Sequence, residues 1–480
     1  MKFALNELER KNRTRSSVRI VAAILALVAM FFLSVTSSWA AEKSVSEKIL
    51  DILREKGDIS DQQYEELKKQ AEAEQAEQEE QSEWRTYWKD GLRVESKDGK
   101  IKTRWGGRIQ LDWASIESDG DMENALTDED IGGEDGPLEG NGVEFRRLRF
   151  YSRGTLYDTM GYRLQIDFAS QNVALKDAYL DFIKVPYVAN NVLRIGHAKE
   201  PISLDELGSS NNITFMERAL PVLAFAPSRN TGLLLKNNIL DKRLLLEVGG
   251  YYNTDDGGNT FNNFSNTNVS ARVAGTPWYR DKSHLLHLGF GYSHQFRNDD
   301  KSDARLRFRA RPESHITDVR LVDTGRFFAD GADLFNPELA LVYGPFSLQG
   351  EYFWVNTDAS AVDDPTFTGW YAYGSWIITG ESRPYSQTGG TFGGVKPKNN
   401  FYFGQPGWGA FELGLRYSRL DLTDSDIKGG EEDNITVGLN WYLNPAVRLM
   451  FNYVYADLED RENIPDGNAN IFQSRFQVAF

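Results

Sequence analysis

The chain ends in the stretch IFQSRFQVAF, residues 471–480, in which apolar and polar side chains alternate. Successive side chains of a β-strand point to opposite faces, so a period of two predicts a strand with one apolar and one polar face. The apolar face of this strand carries Phe472, Phe476, Val478 and the terminal Phe480. The sequence therefore ends in an amphipathic strand that is closed by an aromatic residue.

The same alternation recurs upstream, for example over residues 161–169, 432–443 and 447–457. A soluble sandwich would bury the apolar faces of such strands in a dry core, whereas a membrane barrel would turn them towards lipid and the polar faces towards a wet lumen. A terminal aromatic residue on an amphipathic strand resembles the ending of bacterial outer-membrane β-barrels. This resemblance favours the barrel.

Composition excludes several classes of protein. The 480 residues include no cysteine, which excludes a disulfide framework and thiolate chemistry, and we expect no metal site and no cofactor. The net charge of −16 argues against a nucleic-acid-binding protein, whose binding surface is basic. The 11 Trp, 21 Tyr, 28 Phe and 42 Gly fit a chain of many strands and turns.

The amino terminus predicts export. Six basic residues precede the apolar run 20–33, and Ser38-Trp39-Ala40 follows, which is typical of a secretory signal peptide that is cleaved after residue 40. Residues 42–89 are predicted to be helical, with Ser60 and Gln63 spaced as a capping box. This segment is either a solvated spacer or a self-associating, coiled-coil-like pair of helices.

The strand pattern predicts an all-β, 16-stranded antiparallel transmembrane barrel over residues 100–480. Seventeen segments have strand character, but single-chain bacterial barrels have an even number of strands. When up and down directions are assigned to the strands from both ends of the chain, residues 298–334 remain as one long loop. The segment 303–311 is therefore the one that is not in the wall. We therefore expect inward-folded loops at about 200–230 and 298–334.

The segment 303–311 carries an arginine at every second position. An extended conformation would place Arg305, Arg307, Arg309 and Arg311 along one edge, with neighbours ~6.6–6.8 Å apart. Guanidinium groups remain charged and bind oxyanions in a bidentate manner, so the edge predicts an anion path. The alternative is that these arginines pair with acidic neighbours or with lipid phosphates.

Several motifs resemble those of the phosphate-selective porin O and P family. They include LKDAYL at 175–180, ITFMER at 213–218, FAPSRN at 225–230, LVDTG at 321–325 and GWGAFELG at 407–414. The resemblance spans roughly residues 100–480 and implies a homotrimer of 16-stranded porins with loops folded into the pore. It also implies an arginine ladder that leads anions to a lysine-lined constriction, and Arg305, Arg307 and Arg309 match the ladder's alternation.

Further candidate residues lie outside the ladder. Arg147, Arg149 and Arg153 occupy the polar face of one predicted strand, which would add them to the anion pathway. Lys199, Lys396 and Lys398 are the candidate constriction lysines. Residues 115–140 hold ten acidic residues and no basic one, which we interpret as a solvated surface loop rather than a cation site.

The sequence predicts a non-enzymatic outer-membrane porin for passive uptake of anions, with phosphate or polyphosphate as the expected substrate. Lipid and lipopolysaccharide of the outer membrane would surround it. One alternative is a general porin whose helical head tethers the envelope. A distant alternative is an outer-membrane hydrolase, because Ser293 and His294 are adjacent, but adjacent strand residues point to opposite faces.

Overall fold

The computed structural model describes residues 49, 52–70, 84–127, 136–169, 173–183, 185, 191–260, 266–297, 305–359 and 363–480. The predicted signal peptide lies outside these residues, as do parts of the segment 42–89 and of the acidic stretch 115–140. The chain divides into two units, which comprise Met1–Thr86 with Val94–Gly99 and Tyr87–Arg93 with Lys100–Phe480.

The described residues near the amino terminus are helical at 52–55 and 61–70. The capping box that begins the second helix is confirmed: the Ser60 backbone N–H donates to Gln63 Oε1 at 3.0 Å, and the Gln63 N–H donates to Ser60 Oγ at 3.3 Å. Trp84–Trp88 and Leu92–Ser96 form short strands. The helical prediction for 42–89 is therefore wrong over its last residues, where aromatic and β-branched side chains favour a strand.

Sixteen strands of the described residues form the wall of the larger unit. We number them in chain order: β1 Ile101–Ser118, β2 Gly140–Leu156, β3 Met160–Asp167, β4 Ala174–Ile183, β5 Asn191–Lys199, β6 Arg229–Ile239, β7 Leu244–Tyr252, β8 Thr267–Asp281, β9 His284–Phe296, β10 Phe327–Tyr343, β11 Phe346–Ala359, β12 Thr366–Ile377, β13 Ala410–Asp424, β14 Ile427–Tyr442, β15 Val447–Arg461 and β16 Gly467–Ala479. Three short helices lie between them: α1 Gly120–Thr127, α2 Leu204–Leu207 and α3 Leu220–Phe225.

The terminal strand closes the barrel. β16 pairs antiparallel with β1, with Arg475 opposite Asp112 and Val478 opposite Ile109. Beyond this ladder, Phe480 and Gly107 exchange two backbone hydrogen bonds of 2.9 and 3.0 Å. Closure leaves no free sheet edge, so the predicted 16-stranded antiparallel barrel is confirmed.

The segment 303–311 is not a wall strand, as the strand parity predicts. Arg305–Leu306 pair only with the first residues of β10, and Arg309–Ala310 pair with Val322–Asp323 in a small hairpin. However, β10 begins at Phe327, so the predicted loop 298–334 is wrong over its last eight residues. There the apolar side chains Ala329, Ala332 and Leu334 are buried inside the barrel rather than turned outwards. The pattern expected of a lipid-facing strand is therefore absent from this part of the sequence.

We call the end of the barrel that carries Phe480 and the short connections the turn end, and the opposite end the loop end. Between them, the outer face is apolar: Val437 on β14 is 48% exposed and has Leu415 and Tyr453 as cross-strand neighbours, whereas the adjacent Thr436 is fully buried and faces inwards. The predicted alternation is thus confirmed, with its apolar side outside.

Aromatic side chains border this apolar band at both ends. Near the turn end, Phe411 stacks on Trp441 with a ring-centroid distance of 5.5 Å, and nearer the loop end Trp370 lies 5.1 Å from Tyr417. The two levels are six residues apart on β13, or ~20 Å at strand rise. Two aromatic levels around an apolar band are typical of a barrel that spans an outer membrane.

Beyond the second aromatic level, the polarity of several strands inverts. On β13 the inward side chains Leu420 and Leu422 are buried, while Arg419 and Asp421 face outwards. The inward apolar side chains pack on Leu306 and other apolar residues of the inner loops in one hydrophobic cluster. The wall therefore continues past the lipid-facing band with a polar outer surface and an apolar cluster packed against its inner face.

Three connections fold into the barrel. The first inner loop (residues 200–228) and the second inner loop (residues 305–326) come from the loop end, and the turn-end segment 378–409 comes from the other side. No helix among the described residues is long and apolar enough to cross a membrane. Strand length also varies, since β3–β7 have 8 to 11 residues and the other wall strands have 12 to 18.

The orientation of β14 predicts the cost of a charge on the outer face. We expect Val437→Arg to lower the free energy of unfolding in lipid vesicles by ~2–4 kcal/mol, because an arginine would enter the hydrocarbon. The exposed Glu459, beyond the apolar band, provides the control: Glu459→Arg should change stability by less than ~0.5 kcal/mol. Equal losses in urea titrations would contradict the assigned faces.

Candidate functional site

A β-bulge on β2 places two consecutive arginines inside the barrel. Gln110 of β1 pairs with Arg147, but the next residue of β1 pairs with Phe145, so Arg146 is the extra residue. The outward positions change phase across the bulge, from Phe145 to Leu148. Strict alternation predicts that Arg147 faces inwards but not that Arg146 does. The interval of three residues between the outward Phe145 and Leu148 is the sequence signal that indicates the bulge.

A second bulge has the same effect on β4. Gln165 of β3 pairs with Asp177, and Ile166 pairs with Leu175, which leaves Lys176 as the extra residue. Lys176 and Asp177 both line the central cavity described below. Sequence reasoning missed both residues as site members, although both belong to the LKDAYL motif.

Three cavities follow one another through the barrel; β2 contributes to the lining of all three, and the cavity at the turn end also reaches β14–β16. The loop-side cavity has a volume of about 370 Å³, the central cavity about 470 Å³ and the turn-side cavity about 740 Å³. Arg146 lines the first two, and Arg108 and Arg163 line the last two. Shared lining residues make the cavities successive parts of one path.

The central cavity is strongly basic. Its lining includes eight arginines and three lysines but only three acidic residues, Asp177, Glu206 and Glu247. Asp177 is shared by Arg163 at 2.7 Å and Arg229 at 2.9 Å. The positive charge of this cavity is therefore only partly compensated.

The predicted arginines of β2 lie along this path at successive levels. Arg147 and Arg149 line the central cavity, and Arg153 lines the turn-side cavity. Arg149 pairs with Asp167 at 2.6 Å, and Arg147 donates to Gln110 Oε1 at 2.9 Å. One strand thus contributes basic side chains from the middle of the barrel to its turn end.

Other inward arginines hold the first inner loop, and one of them, Arg448, also lines the turn-side cavity. Arg448 donates to the Ile213 carbonyl at 2.8 Å, and Arg416 donates to the Glu217 carbonyl at 2.9 Å. Arg475 donates to the Met216 carbonyl at 2.6 Å. These contacts fix the loop backbone against β13, β15 and β16, and the wall residues of the central cavity come instead from β1–β7.

Glu217 is the ionic anchor of the first inner loop. Its carboxylate accepts hydrogen bonds from Arg146 at 2.8 and 2.9 Å and from Arg475 at 2.7 Å, and Arg147 lies 3.7 Å away. Burial by itself would raise the pKa of Glu217, but the three guanidinium groups hold this pKa well below its usual range. Glu217 is therefore a carboxylate at neutral pH.

The second inner loop separates its arginines from its apolar side chains. Leu306, Phe308 and Ala310 are buried in the hydrophobic cluster, and the arginines between them lie on the other side. Arg307 donates to Asp323 Oδ1 at 2.8 Å, and the Arg309 guanidinium lies 3.9 Å from the same carboxylate.

The structure brings only part of the predicted ladder together. Arg307, Arg309 and Arg311 line the loop-side cavity with Arg320 and His315, and Arg311 pairs with Asp318. Arg305 does not line this cavity; its guanidinium lies 4.6 Å from the ring centroid of Phe328 at the rim of the wall. The acidic alternative partners considered for these arginines are thus present for Arg307, Arg309 and Arg311.

The three candidate lysines lie in different places. Lys199 lines the central cavity and contacts Glu206 Oε1 at 3.2 Å. Lys396 lines the turn-side cavity, with its side chain 67% exposed and 3.7 Å from Asp90. Lys398 lines none of the three cavities, and its Nζ donates to the Gly380 carbonyl at 2.7 Å.

Ser293 and His294 do not form a catalytic pair. Ser293 is fully buried, with its Oγ 2.9 Å from Ser270 Oγ, whereas His294 Nδ1 lies 2.8 Å from Asp333 Oδ1 on the outer side. A nucleophilic hydroxyl needs a base within hydrogen-bonding reach, which this arrangement does not provide.

Comparison with known proteins is consistent with the geometry of the path. A family model described as phosphate-selective porin O and P matches residues 119–480. Porin O of Pseudomonas aeruginosa is 25% identical over 425 residues, which cover 82% of this chain and 91% of that protein. An uncharacterised protein of Caulobacter vibrioides is 28% identical over 403 residues, which cover 82% of this chain and 76% of the relative.

Among solved structures, the outer membrane channel DcaP of Acinetobacter baumannii matches with a TM-score of 0.50 and 10% sequence identity. The match covers 80% of this chain and 99% of DcaP. At this identity, the likeness concerns the barrel fold alone.

The anchor at Glu217 can be tested by a substitution that keeps its size. We expect Glu217→Gln to destabilise the barrel by ~3–5 kcal/mol, because three arginines would lose a buried partner, and to expose the first inner loop to protease. Since the pKa of Glu217 is lowered, its contribution is present above the ordinary carboxyl pKa of ~4.3 and is lost only as the pH falls further.

The difference in unfolding temperature between wild type and variant, measured by thermal gel shift, should therefore be constant at neutral pH and shrink in acid. Glu462→Gln, at an exposed loop-end position, is the matched control and should leave both readouts unchanged. A Glu217→Gln barrel with wild-type stability and protease resistance would show that the loop is held by other contacts.

Proposed function

Since the chain belongs to the phosphate-selective porin O and P family, we propose that its barrel conducts anions in preference to cations and favours phosphate or a linear polyphosphate. At the coarser level, the chain forms an outer-membrane porin channel. The observation that carries the proposal is the succession of three basic cavities through the barrel.

The balance of lining charge supports anion preference at each level of the path. The loop-side cavity has five arginines against one acidic residue, Glu217. The turn-side cavity has six basic residues against Asp90. Because a narrow lumen with low-dielectric walls concentrates the field of its lining charges, such an excess raises anion occupancy and repels cations.

The type of basic residue supports an oxyanion rather than a halide. Most of the basic lining residues are arginines, whose planar guanidinium groups can donate two parallel hydrogen bonds to one phosphate. Chloride benefits only from the charge. Successive sites let an anion leave one partner as it meets the next, which conduction requires.

Acidic residues reduce the positive charge along this path without making it negative. Asp177 stands between Arg163 and Arg229 in the central cavity, and Asp323 stands beside Arg307 and Arg309 in the second inner loop. Pairing prevents like-charged side chains from repelling one another and leaves each cavity with net positive charge. Acidic residues outside the lumen act less, since charges beyond ~8 Å are largely screened at physiological salt.

The ladder arginines that line the loop-side cavity provide the direct test. We expect Arg307→Ala/Arg309→Ala/Arg311→Ala to reduce the anion-to-cation permeability ratio in planar bilayers and to weaken the block of chloride current by phosphate. Replacement of the same three residues by Lys should retain the permeability ratio but lose much of the phosphate block, because the bidentate geometry is lost.

Arg305→Ala is the matched control, since Arg305 lies at the rim and outside this cavity. Its single-channel properties should equal those of the wild type. A cation-selective reversal potential in the wild-type channel would refute the proposed function.

We further propose export by the cleaved signal peptide 1–40 and assembly as a homotrimer surrounded by lipid and lipopolysaccharide. The strands β3–β7 are short, so the barrel wall is less tall on this side than elsewhere. Its outward side chains, such as Leu233 (52% exposed), are apolar, which supports a contact between subunits here. Native mass spectrometry in detergent should give the mass of three chains, and a monomer mass at every detergent concentration would contradict this assembly.

A further inference from the structure

The turn-side cavity contains a row of three arginines at one level of the barrel. Arg104 on β1 is directly opposite Arg153 on β2, and Arg153 is directly opposite Arg163 on β3. Directly opposed like charges destabilise a sheet, so this row needs a compensating partner. Two inward levels further into the barrel, Arg149 has Arg108 on one side and Asp167 on the other, and it pairs with Asp167 at 2.6 Å.

Acidic compensation in the arginine row is limited to one of its three members. Arg163 pairs with Asp177 at 2.7 Å, but Arg104 and Arg153 have no carboxylate within 4 Å among the residues that the structure describes. Asp90, the acidic residue of the cavity, lies 3.7 Å from Lys396. Arg104 Nε is also buried without a hydrogen-bond acceptor in the described residues.

An aromatic ring takes the place of a carboxylate in the row. The guanidinium carbons of Arg104, Arg153 and Arg163 lie 5.8, 5.9 and 5.4 Å from the centroid of Tyr151, which is 8% exposed. A ring at this distance attracts and orients a cation but carries no negative charge. Tyr151 therefore gathers three guanidinium groups and leaves the charge of Arg104 and Arg153 available for a ligand, while Arg163 also pairs with Asp177.

We propose that Arg104, Arg153 and Arg163, gathered by Tyr151, form a separate oxyanion-binding site at the turn end, from which a phosphate-like anion leaves the channel. The inference rests on the proposed function, because it assigns a last binding position to the same path. Neighbouring strands are ~4.8 Å apart, so the three arginine side chains can converge on one tetrahedral anion. The bound anion supplies the negative charge that the arginine row otherwise lacks.

The expected consequence is an asymmetry between the two sides of the membrane. Phosphate added at the turn end meets this site first, whereas phosphate added at the loop end first meets the arginines of the second inner loop. Each side should therefore have its own apparent dissociation constant for block of chloride current. Tyr151 acts as a positioning residue here, since its ring orients the arginines.

The test uses the full chain in planar bilayers, with inorganic phosphate added to one side at a time. Arg104→Gln/Arg153→Gln should weaken the turn-side block about tenfold, because two charged donors are lost, and should change the loop-side block less than about twofold. Tyr151→Phe should keep the wild-type block, and Tyr151→Leu should weaken the turn-side block alone. Thermal gel-shift assays confirm that each variant is folded.

The orientation of the channel in the bilayer can be determined with a single introduced cysteine. Ser425→Cys in the tight loop between β13 and β14 would be biotinylated and bound by streptavidin from one side, since the chain has no other cysteine. Lys398→Gln is the matched control, because Lys398 belongs to the turn-end segment but lines none of the three cavities and donates to the Gly380 carbonyl. It should leave the turn-side block within about twofold of the wild type.

Three results separate the outcomes. If the wild type shows no phosphate block from either side, the proposed function fails. If the wild type is blocked but Arg104→Gln/Arg153→Gln keeps its turn-side block, only the turn-end site is refuted. A loss in Lys398→Gln equal to that in the double variant would also refute the site, since the block would then depend on diffuse charge.

Discussion

The buried carboxylate of Glu217, shared by Arg146, Arg147 and Arg475, is the contact on which the interior of the barrel depends. It joins β2 and β16 through a residue of the first inner loop. Removing three guanidinium groups from water is costly unless they are paired, and a single carboxylate on the loop gives them a common partner. The loop is thus held to one side of the lumen, and the remaining space becomes the path.

The same residue type therefore has two roles in this lumen. Arg416 and Arg475 donate to loop carbonyls and line none of the three cavities, so they hold the loop backbone. Arg108 and Arg153 face the cavities and lack a carboxylate partner among the described residues. What decides the role of an inward arginine is its partner, and a strand pattern gives only the direction of the side chain.

This distinction explains how far sequence reasoning reaches. Period-two alternation and the parity of strand number predicted the closed 16-stranded wall and excluded the segment 303–311 from it. Alternation also placed Arg147, Arg149 and Arg153 on the inner face. It missed Arg146 and Lys176, because a β-bulge changes the phase by one residue and leaves only a three-residue interval between apolar positions as its trace.

The start of β10 was missed for a related reason. Its first residues turn apolar side chains inwards, against the rule that holds in the lipid-facing band. The ladder edge was only partly predictable too: alternation put Arg305, Arg307 and Arg309 on one side of their segment, but the tertiary position of Phe328 draws Arg305 to the rim. Positions of inner-loop side chains depend on such long-range contacts, which a local pattern does not contain.

The polarity inversion on β13 also fixes the depth of the barrel in its membrane. Displacement by one pair of residues towards the turn end would carry Arg419 and Asp421 ~6.6 Å closer to the hydrocarbon. Displacement in the other direction would lift the stacked Phe411 and Trp441 level away from the headgroups of the inner leaflet. The bilayer is thus held between a charged ring and an aromatic ring, and a membrane of different thickness would strain one of the two.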